Sequence, residues 1–360
     1  MKKNSDASHS GTKAEFPRKE KASLDPKLRE YLQLIKDSNR PPLFELPAAE
    51  ARAVYKEGRR IAIADPEPVA ESSDFEISGT QGVFRVRRFR PEALIHDDQA
   101  PALVYLHGGG WTIGDIDTHD SLCRQLANDA PCVVISVDYH LAPEFPFPAA
   151  VTDGVEAVQW VVANAKSLKI DAERVAIGGD SAGANLATVI CMIFRDQGGS
   201  SLVHQLLYYP ATDQRMLSAS HVENGSGYFL TKELIEYFRF QYLGRTNYED
   251  WRASPILQPN LRGLPSAQVI TAGYDPLRDE GFEYAEALKA AGVSVDYKCY
   301  EDQIHGFINI AKVSSRARIA IQRSAAILAG AFQSQPKSQH KSQTPSSQSS
   351  KSSHSGGTSS

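Results

Sequence analysis

The sequence predicts an α/β fold: a mostly parallel sheet of eight strands flanked by helices, with a helical layer over one end. Three observations carry that prediction. From Asp65 onward, short strand-like runs alternate with helical stretches, the order that builds a parallel sheet with helices on both faces. Runs such as ALVYL at 102–106 and CVVISVD at 132–138 are almost continuously apolar, as strands covered on both faces are. Two amphipathic stretches precede every strand, and nearly sixty residues separate the strand ending at Tyr209 from the one starting at Ala267. That is more chain than a connector needs, and it supplies material for a layer over the sheet.

The elements follow in order. Leu28, Tyr31, Leu32 and Ile35 share one helical face, and Asn39-Arg40-Pro41-Pro42 stops that helix. Ala51, Val54, Tyr55 and Gly58 line a second. Strands are expected near 74–78, 82–90, 101–106, 132–138, 174–178, 203–209, 267–272 and 294–300. Helices are expected over 119–129, 149–166, 182–197, 278–291 and 313–332. No helix separates the first two strands, so the sheet should begin antiparallel. Within the insertion, Thr231 is placed to cap a helix whose apolar side is Leu234, Tyr237, Phe238 and Tyr242. The expected organisation is a disordered arm over 1–24, cap helices over 25–64, a catalytic domain over 65–332 with a cap insertion at 211–250, and a disordered tail over 333–360. In that tail 12 of 28 residues are Ser and none is aliphatic or aromatic, too little apolar area to offset ordering entropy.

Composition narrows the function. The 360 residues carry a net charge of −4, and 26–332 holds 30 basic against 39 acidic side chains. A core without basic excess argues against nucleic-acid binding. No apolar run reaches the length of a membrane span, and no apolar stretch follows the N-terminal lysines, so no secretory signal is read. Cys123, Cys132, Cys191 and Cys299 lie far apart with no C-x-x-C, which fits neither a zinc site nor a disulfide scaffold. The expectation is a soluble, cytoplasmic protein.

Four motifs carry chemistry. Gly179-Asp180-Ser181-Ala182-Gly183 is a G-x-S-x-G between a strand and a helix, the context that holds a serine strained and exposed above the sheet's carboxyl edge. The alternative is a glycine-rich connection with an N-capping serine. His107-Gly108-Gly109-Gly110-Trp111 follows a strand, and bare glycine amides suit an oxyanion hole. A phosphate P-loop would need G-x-x-x-x-G-K-[ST], which is absent. His107 precedes the serine, so a structural role is preferred for it. A nucleophilic serine needs a base, and the base an orienting acid, in the order Ser, Asp/Glu, His. After Ser181 only His204, His221, His305, His340 and His354 remain. His204 lies within a strand, His221 in the insertion, and His340 and His354 in the tail. His305 sits just past the last strand and is the expected base, against the alternative of a solvated loop histidine. Asp275, at the end of the strand AQVITA, is the expected acid, although Asp before Pro also reads as a helix cap. Asp279 is the second choice, read as a first-turn partner of the helix dipole.

HGGGW, GDSAG, DPLRDEG and HGF, in that order, make the sequence resemble the hormone-sensitive-lipase-like family of α/β-hydrolase esterases, from about 60 to 330 and extending back to 25. Tyr139-His140-Leu141-Ala142-Pro143-Glu144 followed by Phe147-Pro148-Ala149-Ala150 resembles a further family block, with His140 where the family usually has Arg. The resemblance implies an α/β-hydrolase fold with a helical cap and a Ser181-His305-Asp275 triad. It implies an oxyanion hole from the amides of Gly108, Gly109 and Ala182, and no metal or organic cofactor. Trp111, Tyr228, Phe229 and Phe238 are expected to line the substrate pocket, or else to be ordinary core. The expected function is a serine carboxylesterase acting on short- to medium-chain acyl esters as small-molecule substrates. An amidase, lactonase or deacetylase is the close variant. A non-catalytic small-ligand receptor, as in the plant gibberellin receptors, is the rival class, and those lack the catalytic histidine. Relatives of this kind are often homodimers through an exposed sheet edge.

Overall fold

Eight strands form one sheet in the order β1-β2-β4-β3-β5-β6-β7-β8. They are β1 Glu71–Gly79, β2 Gly82–Arg90, β3 Ala100–Leu106, β4 Val133–Asp138, β5 Ile170–Asp180, β6 His204–Tyr208, β7 Ser266–Tyr274 and β8 Val295–Ile304. The computed structural model describes residues 15–17, 22–198 and 202–334. The expected disordered arm and tail therefore fall largely outside the described residues. Of the arm, Phe16 lies edge-on to Phe282 at 5.5 Å, under the Arg278 guanidinium.

β1 and β2 pair antiparallel, as do β2 and β4, and every other pairing is parallel. Only β2 therefore runs against the rest. The helices are α1 Pro26–Asp37 and α2 Ala48–Arg59 ahead of the sheet, α3 Asp120–Asp129, α4 Ala149–Ala163, α5 Ala165–Leu168, α6 Ala182–Gln197, α7 Ser220–Glu223, α8 Lys232–Leu243 and α9 Arg278–Ala290 between its strands, and α10 Ala317–Gln333 after the last strand.

The two-residue period of the strands sorts the core onto two faces. Ala102, Val104 and Leu106 of β3 join Leu186, Ile190, Tyr284 and Leu288 beneath α4, α6 and α9. Leu103 and Tyr105 of the same strand join Leu122, Leu126, Ile321 and Leu328 beneath α3 and α10. The expected last helix begins four residues later than its apolar pattern suggested. Ser314 Oγ accepts from the Arg316 and Ala317 amides, and that local bonding holds the chain in a turn before α10. The stretch expected as one helix over 149–166 divides at Asn164, where α4 ends and the short α5 begins.

α1, α2 and α8 lie over the carboxyl edge of the sheet. Leu28 and Tyr31 of α1 pack with Tyr274 and Ile304 at the ends of β7 and β8. Ala51 of α2 packs with Ile113 and with Phe238 of α8. Arg52 ties α2 to the glycine loop through Thr112 O at 2.8 Å and to Glu144 at 2.9 Å. Thr231 caps α8 by accepting from the Leu234 amide.

Candidate active site

The strand order sets the site. β3 and β5 are hydrogen-bonded neighbours, with Leu106 opposite Gly179, so the glycine loop after β3 and the serine turn after β5 emerge side by side. This is where the connections diverge to opposite sides, the place open α/β sheets put their ligands. β7 and β8, beyond β6, deliver Asp275 and His305 from the same edge.

Ser181 has φ 55° and ψ −115°, a conformation that L side chains rarely adopt. Its surroundings enforce it. The Ser181 amide donates to Tyr208 O at 2.9 Å, and Ser181 O accepts from the Asn185 amide at 3.1 Å. The Asn185 side chain is in turn held by Ala211 O and Ala253 O, both at 2.8 Å. A Cβ on Gly183 would lie 1.9 Å from Leu106 O, and one on Gly179 would lie 2.5 Å from it. Both glycines are therefore needed for β3 and α6 to close around the turn.

His305 Nε2 lies 3.0 Å from Ser181 Oγ, and His305 Nδ1 lies 2.8 Å from Asp275 Oδ2. Asp275 is fully buried and His305 nearly so. Beside the carboxylate Nδ1 carries the proton, leaving Nε2 free to accept from the serine hydroxyl. The cap reading of Asp275 gives way to a dual one. Oδ1 accepts from the Leu277 amide at 2.8 Å and fixes the turn, while Oδ2 holds the imidazole. Asp279 is spent elsewhere, on Arg278 at 2.7 Å and the Ser220 amide at 3.0 Å.

The glycine loop corrects one expectation. The Gly108 amide donates to Asp180 Oδ1 at 3.0 Å and so does not face the nucleophile. Gly109 and Gly110 line the cavity with Ser181 and Ala182, with φ of 126° and 58°. Gly108 is not among the residues that line it. The reason is Asp180, whose carboxylate also accepts from Tyr105 Oη at 2.9 Å and Asn309 Nδ2 at 3.0 Å and lies 3.2 Å from His119 Nε2. Burial would raise the Asp180 carboxyl, but His119 and Tyr105 hold it below its ordinary value. Asp180 thus clamps the loop from inside the G-x-S-x-G motif, at a position the motif leaves open. His107 is structural as read: buried, 2.9 Å from Gly108 O through Nδ1 and stacked on Tyr139 at 4.3 Å. His204 is excluded as a base by its place in β6, where desolvation pushes it down to about 4.

The profile of the alpha/beta hydrolase fold family matches residues 103–309. Carboxylic ester hydrolase LipN of Mycobacterium tuberculosis is 44% identical over 256 residues, 69% of this chain and 67% of its own length. Esterase LipI of the same organism is 37% identical over 307 residues, 84% of this chain and 94% of its own. The solved structure of ester-hydrolase EH1AB1, from the metagenome of Lake Arreo, matches with a TM-score of 0.84 at 43% identity, covering 86% of this chain and 99% of that one. The chain belongs to this family, as a hormone-sensitive-lipase-like carboxylic-ester hydrolase.

In this hydrolase the cavity above Ser181 encloses about 70 Å³. Trp111, Phe229 and Phe238 line it as expected. Tyr228 does not, because it packs against Tyr274 at 5.0 Å, under α1. Sequence reasoning missed Leu43, Tyr55 and Arg59 from the N-terminal helices and Glu280 from α9. Arg59 falls four residues after Tyr55, so helical spacing sets it on the α2 face of Ala51 and Tyr55 but not over the cavity. His221 also lines the cavity, paired with Glu280 at 2.7 Å. Burial would lower His221, but Glu280 holds it above its ordinary value. His140, where the family usually has Arg, sets its Nδ1 2.8 Å from Asp153 Oδ2. Among the described residues no cluster of His, Cys, Asp or Glu is arranged to hold a metal ion, and no helix is long and apolar enough to cross a membrane.

Proposed function

We propose that the protein is a serine carboxylesterase for small esters with short acyl groups, working through an acyl-enzyme. The observation that carries this is the continuous relay from Asp275 through His305 to Ser181, set on a strained turn beside Gly109 and Gly110. His305 Nε2 takes the Ser181 proton as Oγ attacks the ester carbonyl. The Gly109, Gly110 and Ala182 amides receive the oxyanion, and the dipole of α6 points at the same charge. His305 then gives its proton to the leaving alcohol, and water repeats the cycle on the acyl-serine. Asp275 stabilises the imidazolium throughout. The His305 contact with Ser181 weighs against a non-catalytic receptor.

The small cavity supports acetyl to butyryl groups over longer chains. The test is hydrolysis of p-nitrophenyl esters across acyl lengths by wild type and Ser181→Ala. Activity should peak at the short end and fall by at least about 10³-fold in the variant. Retained activity in Ser181→Ala would overturn the reading, and a maximum at long acyl groups would overturn its size limit. A homodimer across the outer edge of β8, which among the described residues has β7 as its one strand neighbour, belongs to the same proposal. Light scattering checks it, and a monomer at micromolar concentration rejects it.

A further inference from the structure

Arg59 closes α2 and is only 3% exposed, yet it lines the catalytic cavity. Its guanidinium lies over the rings of Tyr55 at 5.0 Å and Phe229 at 5.7 Å. Nε and Nη1 have no hydrogen-bond partner among the described residues. The acidic side chains lining the cavity are already engaged. Asp180 accepts from Tyr105, Gly108 and Asn309 and abuts His119. Glu280 is held by His221 and the Thr212 and Asp213 amides, and Asp213 by Arg215. A guanidinium does not lose its proton in a protein. Asp180 attracts it through space, but no carboxylate hydrogen-bonds its Nε or Nη1, and a buried guanidinium left without such bonds is costly unless a ligand supplies them.

Its position assigns that ligand a direction. A Cβ on Gly306 would lie 3.9 Å from Arg59 Nη1 and 3.7 Å from the Phe229 ring, so the guanidinium stands on the His305 side of the cavity. His305 delivers the proton to the leaving oxygen, so the alcohol portion of the ester occupies that side. We propose that Arg59 is a specificity-determining residue that binds a carboxylate on the alcohol portion of the substrate. The inference rests on the esterase reading above. The preferred substrates are acyl esters of hydroxy acids. The acyl C–O bond breaks, the hydroxy acid leaves with the His305 proton, and water releases the short acid.

The test compares acetyl esters of ω-hydroxy acids, from acetoxyacetate to acetoxyhexanoate, with the matching primary amides. Wild type, Arg59→Met and Arg59→Lys are assayed, and the readout is the ratio of kcat/KM for carboxylate over amide. A poorly folded variant lowers both terms and leaves that ratio meaningful. At the best chain length wild type should favour the carboxylate by about 10- to 100-fold, the range for a hydrogen-bonded charge. Arg59→Met should abolish the preference and Arg59→Lys should keep part of it. Binding of the free hydroxy acid to Ser181→Ala, read by calorimetry, should weaken with Arg59→Met by a similar factor. A wild-type ratio at or below one for every length, or a ratio unmoved by Arg59→Met, overturns the proposal. Neutral p-nitrophenyl acetate separates the two readings. Its hydrolysis by wild type, lost in Ser181→Ala, upholds the esterase whatever Arg59 does.

Discussion

Two carboxylates, Asp275 and Asp180, divide the work of holding the site. Asp275 uses one oxygen for the backbone and the other for His305. Asp275→Asn can still accept from the Leu277 amide, so the turn should survive. An amide beside Nδ1 favours the wrong imidazole tautomer, and kcat should fall by roughly 10³- to 10⁴-fold with thermal stability little changed. Pre-steady-state assay with p-nitrophenyl acetate, beside a melting curve, checks both halves. Asp180 fixes the glycine loop through Gly108. Asp180→Asn puts an amide N–H₂ where donors already converge, so the loop shifts and its free amides lose aim. A drop of about 10²-fold in kcat is expected, the cost of one oxyanion donor, with KM nearly constant. A proportional rise in KM would instead make Asp180 a binding residue.

At the scale of elements, the docking of α1 depends on Asp25. Its carboxylate accepts from the Lys27 amide at 3.0 Å, capping the helix, and from the Ser315 amide at 3.2 Å and Gln303 Nε2 at 3.3 Å. The Ser315 hydroxyl donates to it as well. Burial would raise this carboxyl, but the bonds from Ser315, Gln303 and Lys27 hold it below its ordinary value. A depressed folded-state pKa stabilises fully above the unfolded value near 3.8 and stops doing so as pH falls through the folded one. Asp25→Asn should therefore cost about 2 kcal/mol at neutral pH, the worth of a charged hydrogen bond. The gap from wild type should close in acid below the ordinary carboxylate range. Urea unfolding at several pH values measures this, and a gap that persists in acid would remove the charge from the explanation. α1 was legible from its 3.6-residue apolar spacing. Its partner was not, because Asp25 and Ser315 are 290 residues apart.

Across the whole molecule, the cysteines report how the core is closed. All four are free. Burial pushes the Cys123, Cys132 and Cys191 thiols far above their ordinary range and lifts half-buried Cys299 to about 11. A thiol-specific reagent should label at most Cys299 slowly in the native protein and all four after denaturation. Rapid native labelling of more than one would mean that the two sheet faces open. The same packing shows where sequence sufficed. Strand–helix alternation, the period-2 runs and the order of G-x-S-x-G, Asp and His determined the sheet, its flanking helices and Ser181, Asp275 and His305, because each is a local pattern or follows from chain order. Tertiary structure decided the rest. The Gly108 amide is withheld from the cavity because Asp180, 72 residues away, claims it. Tyr228 turns from the cavity because Tyr274 and the α1 cluster cover it. Arg59 lines the same cavity as Ser181 because α2 folds back across the carboxyl edge of the sheet. Such contacts join residues far apart in the chain, and no spacing rule within a single element can encode them.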